Sequence, residues 1–223
     1  MLKAKVALVT GGHDFCEESF FEMFRSYSGI DVRKYEFPMA EELFDPSTSA
    51  MFDAYVFYDC RSQISEKAKQ SWLARLAEGK GCVFMHHSLT NHLDWDEFPE
   101  ILGGLWVGGR EFSIKGEIYG PPKWNLNQTI TVKFPDPDHP IVSEMRPFSY
   151  CDETYRDYYI SDKVIPLMET DHPLSEAPVA WTHHYCGARI VYLQPGQGPE
   201  IFSDPNYRNL LKRSILWVAG KLE

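Results

Sequence analysis

The sequence predicts an α/β fold, and three observations carry that prediction. Short apolar runs at Lys5–Thr10, Asp53–Tyr58 and Cys82–Met85 each stop at glycines or polar residues, as strands covered on both faces do. Amphipathic helices are expected between them, at about 15–27 and 65–78, and a third at about 207–220 closes the chain. Strands alternating with helices imply a parallel sheet, and ligands of such sheets bind beyond the carboxyl ends of the strands.

Each element has a local reason. Lys5–Thr10 runs into Gly11-Gly12-His13-Asp14, a tight turn that permits close approach to a ligand and opens the first helix. It is neither a G-x-G-x-x-G fingerprint nor a P-loop, which argues against a nucleotide. His13 could face a ligand or only cap its own helix. Ile30–Phe37 is a second strand, and the acidic stretch Glu41–Pro46 reads as a surface connection. The third strand ends at Asp59-Cys60-Arg61, where Asp59 could orient a histidine, bind a hydroxyl or cap a helix. Nothing in the sequence marks Cys60 as activated. Ser65 is the N-cap of the next helix, Trp72, Leu73 and Leu76 form its apolar stripe, and Gly79 stops it.

The fourth strand, Cys82–Met85, ends in His86-His87-Ser88, with Asn91 and His92 beyond. If the strand continued through the histidines, alternation would put His86 and His87 on opposite faces, and the same would hold for His183 and His184. Glycines in 99–109 imply a close-packed lid or crossover. From residue 112 to about 150 an inserted antiparallel β region is expected, including strands at Glu117–Tyr119 and Thr129–Phe134. Asp152-Glu153 reads most simply as a solvated turn. Three more strands follow at Val164–Glu169, Pro178–His183 and Arg189–Leu193, the last ending in Gln194-Pro195-Gly196-Gln197-Gly198.

The 223 residues, 43% of them hydrophobic, suit one domain spanning 1–223. A net charge of -10 with no basic run excludes a nucleic-acid partner. No segment approaches a membrane span and no signal-peptide core is found, so no membrane partner and a cytoplasmic location are expected. The five scattered cysteines contain no C-x-x-C pair, which fits a reducing compartment and excludes a disulfide framework or zinc ribbon. Exposed Trp and Tyr in the inserted region would suit a homodimer surface.

Several motifs occur together in order: Gly11 to Phe15, the Gly-x-Gly-strand-His pattern ending at His86, Gly103-Gly104, Asp138-His139-Pro140-Ile141, Asp152 to Tyr155, and Trp181 through Gly187-x-Arg189 to Tyr192. In this succession the chain resembles the ThuA-like, or trehalose-utilisation, family, over essentially its whole length. The resemblance implies a flavodoxin-like, class I glutamine amidotransferase-like three-layer sandwich, with a mainly parallel central sheet and a small antiparallel insertion. It also implies a role in carbohydrate metabolism, in disaccharide utilisation and on keto-sugars. The motif positions it marks are His13, His86, Asp138, His139, Glu153, Tyr155, Trp181 and Arg189. The family often ends its last core strand in Gly-His, where this chain has Gln197, which weakens any metal site built on that histidine. Amidotransferases carry a cysteine at the strand-to-helix elbow; here His86-His87-Ser88 stands there and Cys82 lies inside the strand, so glutamine hydrolysis is not expected. Ser88 lacks the flanking glycines of a serine-hydrolase elbow.

Two mechanisms follow. In the catalytic one, His86 and Glu153, with His13 nearby, perform acid–base chemistry on a sugar or keto-sugar as an isomerase, lyase or hydrolase. A metal version has His86 and Glu153, with His13 or His183, holding a divalent cation such as Zn or Mn. In the other, the protein is a carbohydrate-binding or regulatory domain without turnover. Substrate contacts are expected from Asp59, His87, Asp138, His139, Tyr155, Trp181, His183, Arg189 and Gln197. The plain alternative makes His86 a satisfied core histidine and the acidic pair a helix cap.

Overall fold

The computed structural model describes residues 4–222; residues 1–3 and 223, which the one-domain reading also took in, lie outside the described residues. The chain begins β1 (Ala4–Gly11), α1 (Glu17–Arg25), β2 (Ile30–Glu36), α2 (Pro46–Ser49), β3 (Ala54–Asp59), α3 (Glu66–Ala77) and β4 (Cys82–Met85). There follow α4 (Phe98–Leu102), β5 (Gly104–Leu105), β6 (Phe112–Ile114), β7 (Glu117–Tyr119), β8 (Lys123–Lys133) and β9 (Phe148–Arg156). The last part holds β10 (Tyr159–Ile160), β11 (Ile165–Thr170), β12 (Pro178–Tyr185), β13 (Ala188–Leu193), α5 (Pro199–Ser203) and α6 (Pro205–Val218). Helix starts follow local chemistry. Ser65 Oγ accepts the Ala68 N–H at 3.3 Å to cap α3, and Asp204 accepts the Asn206 and Tyr207 N–H groups at 2.8 and 2.9 Å to cap α6.

Nine strands form one sheet in the order β2-β1-β3-β4-β13-β12-β11-β8-β9. The first five are parallel, in the doubly wound order of flavodoxin-like folds, with its switch point between β1 and β3. The other pairings are antiparallel. This part is larger than the insert at 112–150, because β9, β11 and β12 belong to it. Alternation along β1 builds two cores. Val6 and Leu8 pack with Phe20, Met23, Leu210 and Leu211, from α1 and α6; Ala7 and Val9 pack with Trp72 and Leu76 of α3 and Ile101 of α4. The sheet is thus the middle of three layers. No helix among the described residues is long and apolar enough to cross a membrane.

Two expectations need correction. The stretch at 41–46 is not merely a surface connection: a 3₁₀ turn over Met39–Phe44 buries Leu43 and Phe44, and Phe44 stacks on Trp72 with ring centroids 4.6 Å apart. Nor do Asp152 and Glu153 lie in a solvated turn or cap a helix. They sit in β9 and are only 6% and 5% exposed. The acidic pair gave no sign of this, because the burial comes from tertiary packing. β8 joins β11 through two residue pairs only, Lys133 with Glu169 and Val132 with Thr170. Beyond that narrow seam β9 returns to the carboxyl end of β4, where the Tyr155 hydroxyl lies 3.1 Å from His86 Nε2.

His92 tests the aromatic half of the core. Its ring lies among Phe37, Trp72, Trp95 and Phe98, neither nitrogen has a partner, and burial pushes its pKa down to about 4. The unfolded chain binds this proton near 6.5 and the folded one only near 4, so stability falls as pH drops through that window. His92→Asn, tolerated at the left-handed φ of 47°, should remove about 1.4 kcal/mol per pH unit from that slope. Denaturant unfolding between pH 7 and 4 measures it.

Candidate functional site

The site lies at the carboxyl ends of β1, β3 and β4. Backbone geometry sets it up. The Cys60 N–H donates to Gly11 O at 3.0 Å, fixing the β1 turn against the end of β3. Gly12, at φ 77°, lies so close that an added Cβ would stand 1.8 Å from Cys60 O. No other residue fits there. On the next strand the extended backbone stops at Met85, and His86 adopts φ 49° at the head of a 3₁₀ turn. That break overturns the alternation expected at 86–87: both rings approach Glu153, with His86 Nε2 and His87 Nε2 3.7 and 3.8 Å from its Oε2. A left-handed non-glycine residue at a strand end is a common mark of a functional position. The same reasoning holds at His183 and His184, where the strand does continue; the first is buried and the second exposed.

Above these residues lies β9. The buried Asp152 carboxylate accepts the N–H groups of Glu153 at 2.7 Å, Gly196 at 2.8 Å and Gln197 at 3.3 Å, tying β9 to the loop after β13. Tyr155 donates its hydroxyl to Glu153 Oε2 at 2.9 Å and lies 3.1 Å from His86 Nε2. His86 is fully buried, with Nδ1 2.7 Å from Gln194 O and Nε2 2.7 Å from Gln197 Oε1. Both nitrogens are therefore engaged within the protein.

The electrostatics follow from burial and proximity. Burial, reinforced by the charge of His86, pushes His87 down to about 4 against the pull of Glu153. For Glu153, burial pushes upward, but His87, the charge of His86 and the Tyr155 hydroxyl outweigh it and hold the carboxyl below its ordinary value. Burial drives Tyr155 far up, so it remains a phenol, and raises the Cys60 thiol.

A cavity of about 300 Å³ opens over these groups. His86, His87, Glu153 and Tyr155 line it, together with His13, Cys60, Trp106 and Trp124. The two indoles meet edge to face at 6.0 Å between centroids. Such a volume is at the lower end of the roughly 300–1,000 Å³ of small-molecule sites.

The structure thus gathers His13, His86, His87, Glu153 and Tyr155 at one pocket, with Gln197 bonded to His86. It separates the other predicted residues from them. Asp59 is fully buried behind the pocket, neither carboxyl oxygen has a hydrogen-bond partner, and burial pushes its pKa up to about 6. Trp181 is a core residue donating to Leu102 O at 3.0 Å, and cannot stack on a ligand. His183 Nε2 lies 2.9 Å from Ile101 O. Register explains both: Trp181 pairs through Tyr192 with mid-strand Phe84, and His183 through Ile190 with Cys82, at the amino end of β4. Arg189, at that same end, donates to Trp217 O at 2.9 Å and covers its ring. Asp138 and His139 form a surface turn in which His139 Nδ1 accepts the Ile141 N–H at 3.2 Å. Trp106, Trp124, Arg61 and Thr90, which also border the cavity, were not legible beforehand. For Cys60 the usable signal was its place just after a strand.

The family model for ThuA, described as trehalose utilisation, matches residues 5–218. A ThuA-like protein from Parabacteroides merdae superposes with a TM-score of 0.82 at 19% identity, over 99% of this chain and 91% of that one. A Salmonella typhimurium protein described as cytoplasmic gives 0.64 at 13% identity, over 96% and 98%. A β-galactosidase from Halorubrum lacusprofundi gives 0.58 at 15% identity, over 98% of this chain and 31% of that one. At such identities the likeness shows a shared fold. No curated protein matches the chain.

The Gly12 turn yields a direct test. Gly12→Ala should cost more than about 3 kcal/mol, because left-handed strain adds to a backbone clash. Gly29→Ala, at φ 86° with nothing within 4 Å, should cost only about 1 kcal/mol. Thermal unfolding of the two variants reads the difference.

Proposed function

The chain belongs to the ThuA family, whose model spans nearly all of it, and from that premise we propose that it acts on a small carbohydrate, a keto-sugar, in the carboxyl-edge pocket. The family's description, trehalose utilisation, supports that ligand class. The observation that carries the reading is Glu153. Its buried carboxylate lies on the cavity wall, with Oε2 held by Tyr155 at 2.9 Å and flanked by two imidazoles. A cavity near 300 Å³ suits a monosaccharide-sized ligand, and Trp106 and Trp124 offer the flat apolar faces on which a sugar ring packs.

Glu153 is the general base in this reading. It takes a proton from the carbon beside the sugar carbonyl, and the C–H electron pair moves toward the carbonyl oxygen. Transfer of the adjacent hydroxyl's proton to that oxygen gives an enediol, and returning the carbon-bound proton to the former carbonyl carbon isomerises the sugar; alternatively, the enolate expels a substituent on the next carbon with its bonding electrons, leaving a carbon–carbon double bond beside the re-formed carbonyl. His86, with both nitrogens engaged by Gln194 and Gln197, is a positioning residue rather than the proton shuttle expected from sequence. His86, His87 and Glu153 also present donor atoms within 4.8 Å of one another, but His86 would have to give up Gln194 or Gln197 to take an ion. The five thiols are free, and we place the protein in the cytoplasm.

The test is solvent-deuterium exchange at the carbon beside the carbonyl of keto-sugars, followed by proton NMR. Wild type should exchange the proton, and Glu153→Gln should lose about 10²–10⁴-fold in rate while still binding sugar. Trp106→Ala should weaken binding instead. Binding without exchange in wild type would leave a carbohydrate-binding domain; absence of both would sink the sugar reading.

A further inference from the structure

Three side chains that can hold a metal stand together beside Glu153. His13, Cys60 and His87 each present a ligand atom, all within 4.8 Å of one another. Cys60 and His13 are locked together by the Gly11 O to Cys60 N–H bond and the Gly12 contact. The His13 and His87 rings stand 5.0 Å apart, nearly perpendicular.

The hydrogen bonding of the two histidines identifies which nitrogens are free. His13 Nδ1 lies 3.2 Å from Gly11 O, a carbonyl that can only accept, so Nδ1 carries the proton. His13 Nε2 is buried without a partner. On His87, Nε2 faces the Glu153 carboxylate at 3.8 Å, and Nδ1 is likewise buried without a partner. An unsatisfied buried nitrogen is costly, and two beside one thiol need an explanation. Metal-bound histidines characteristically direct their other nitrogen to a carbonyl or carboxylate, as both do here.

We propose that His13 Nε2, Cys60 Sγ and His87 Nδ1 form a zinc site, with Gly11 O and Glu153 as the outer groups that orient the two rings and a fourth position open to the pocket. One thiolate and two imidazoles suit Zn²⁺, and three protein ligands with an open position are the pattern of a catalytic rather than a structural site. Bound tetrahedral donors stand roughly 3.3–3.6 Å apart, so the side chains need only modest rotation to close on the ion. The site differs from the His86–Glu153 pair read from sequence, because His86 already spends both nitrogens on Gln194 and Gln197. It rests on the donor geometry alone, whether or not the ligand is a sugar.

The experiment is cobalt(II) titration of the chelator-stripped full chain, with zinc content of the purified protein measured in parallel. Wild type should take up one equivalent of cobalt and develop a thiolate-to-cobalt charge-transfer band with tetrahedral visible bands. Cys60→Ser should lose the charge-transfer band. His13→Gln should keep the band but bind at least about tenfold more weakly, and Glu153→Gln should cost about 10–100-fold in affinity with the band retained. Circular dichroism checks that each variant is folded, and His13→Gln serves if Cys60→Ser is not. Three outcomes overturn the proposal: no saturable binding; saturable binding without the charge-transfer band, which would favour His86, His87 and Glu153; or a band that survives Cys60→Ser, which would assign it to an exposed thiol such as Cys16, Cys151 or Cys186.

Discussion

The candidate site depends on one buried carboxylate. Asp152 sits on β9, at the far edge of a nine-stranded sheet, yet it accepts the backbone N–H groups of Gly196 and Gln197 beyond β13. Burial pushes this carboxyl up, opposed by His86 and the three amides, and it replaces solvent for amides that would otherwise be unpaired. It brings Glu153 and Tyr155 down onto His86 and sets Gln197 against the same ring. Without it the antiparallel half of the sheet would be a neighbour of the pocket rather than its lid.

Parallel and antiparallel halves thus contribute differently. The parallel strands end in tight turns and supply rigid backbone: the Gly11–Gly12 turn, the Cys60 corner and the left-handed His86. These are the strand ends and switch point at which doubly wound folds place ligands. The antiparallel ribbon supplies the carboxylate, a phenol and Trp124. A cavity closed in this way holds an acid in low dielectric beside donors that keep it ionised, the form that can accept a proton.

Much of this could be read from the sequence, and the rest could not for identifiable reasons. Strands with continuous apolar runs and helices with clear caps, such as Ser65, were legible because their signals are local. The placing of His13, His86 and Glu153 together was legible only through the ordered motifs of the ThuA resemblance. What failed was register. Trp181 and Arg189 belong to those motifs and His183 was a candidate ligand, but antiparallel pairing sets the tryptophan mid-sheet and the other two at the amino ends of the parallel strands, away from the pocket. The His86–His87 parity argument failed because a single positive φ ends the alternation. Trp106 follows β5 and Trp124 lies in β8; they are 18 positions apart in the chain and meet through tertiary packing, which no local pattern encodes.

On the reading proposed above, Glu153 and the His13–Cys60–His87 donors serve one reaction centre beneath the two indoles. Crystals grown with zinc and a keto-sugar, measured at the zinc absorption edge, address it most directly. An anomalous peak bounded by His13, Cys60 and His87 is expected, with the sugar carbonyl turned toward it and the adjacent C–H facing Glu153. A peak bounded by His86, His87 and Glu153, or a sugar bound away from Trp106 and Trp124, would contradict it.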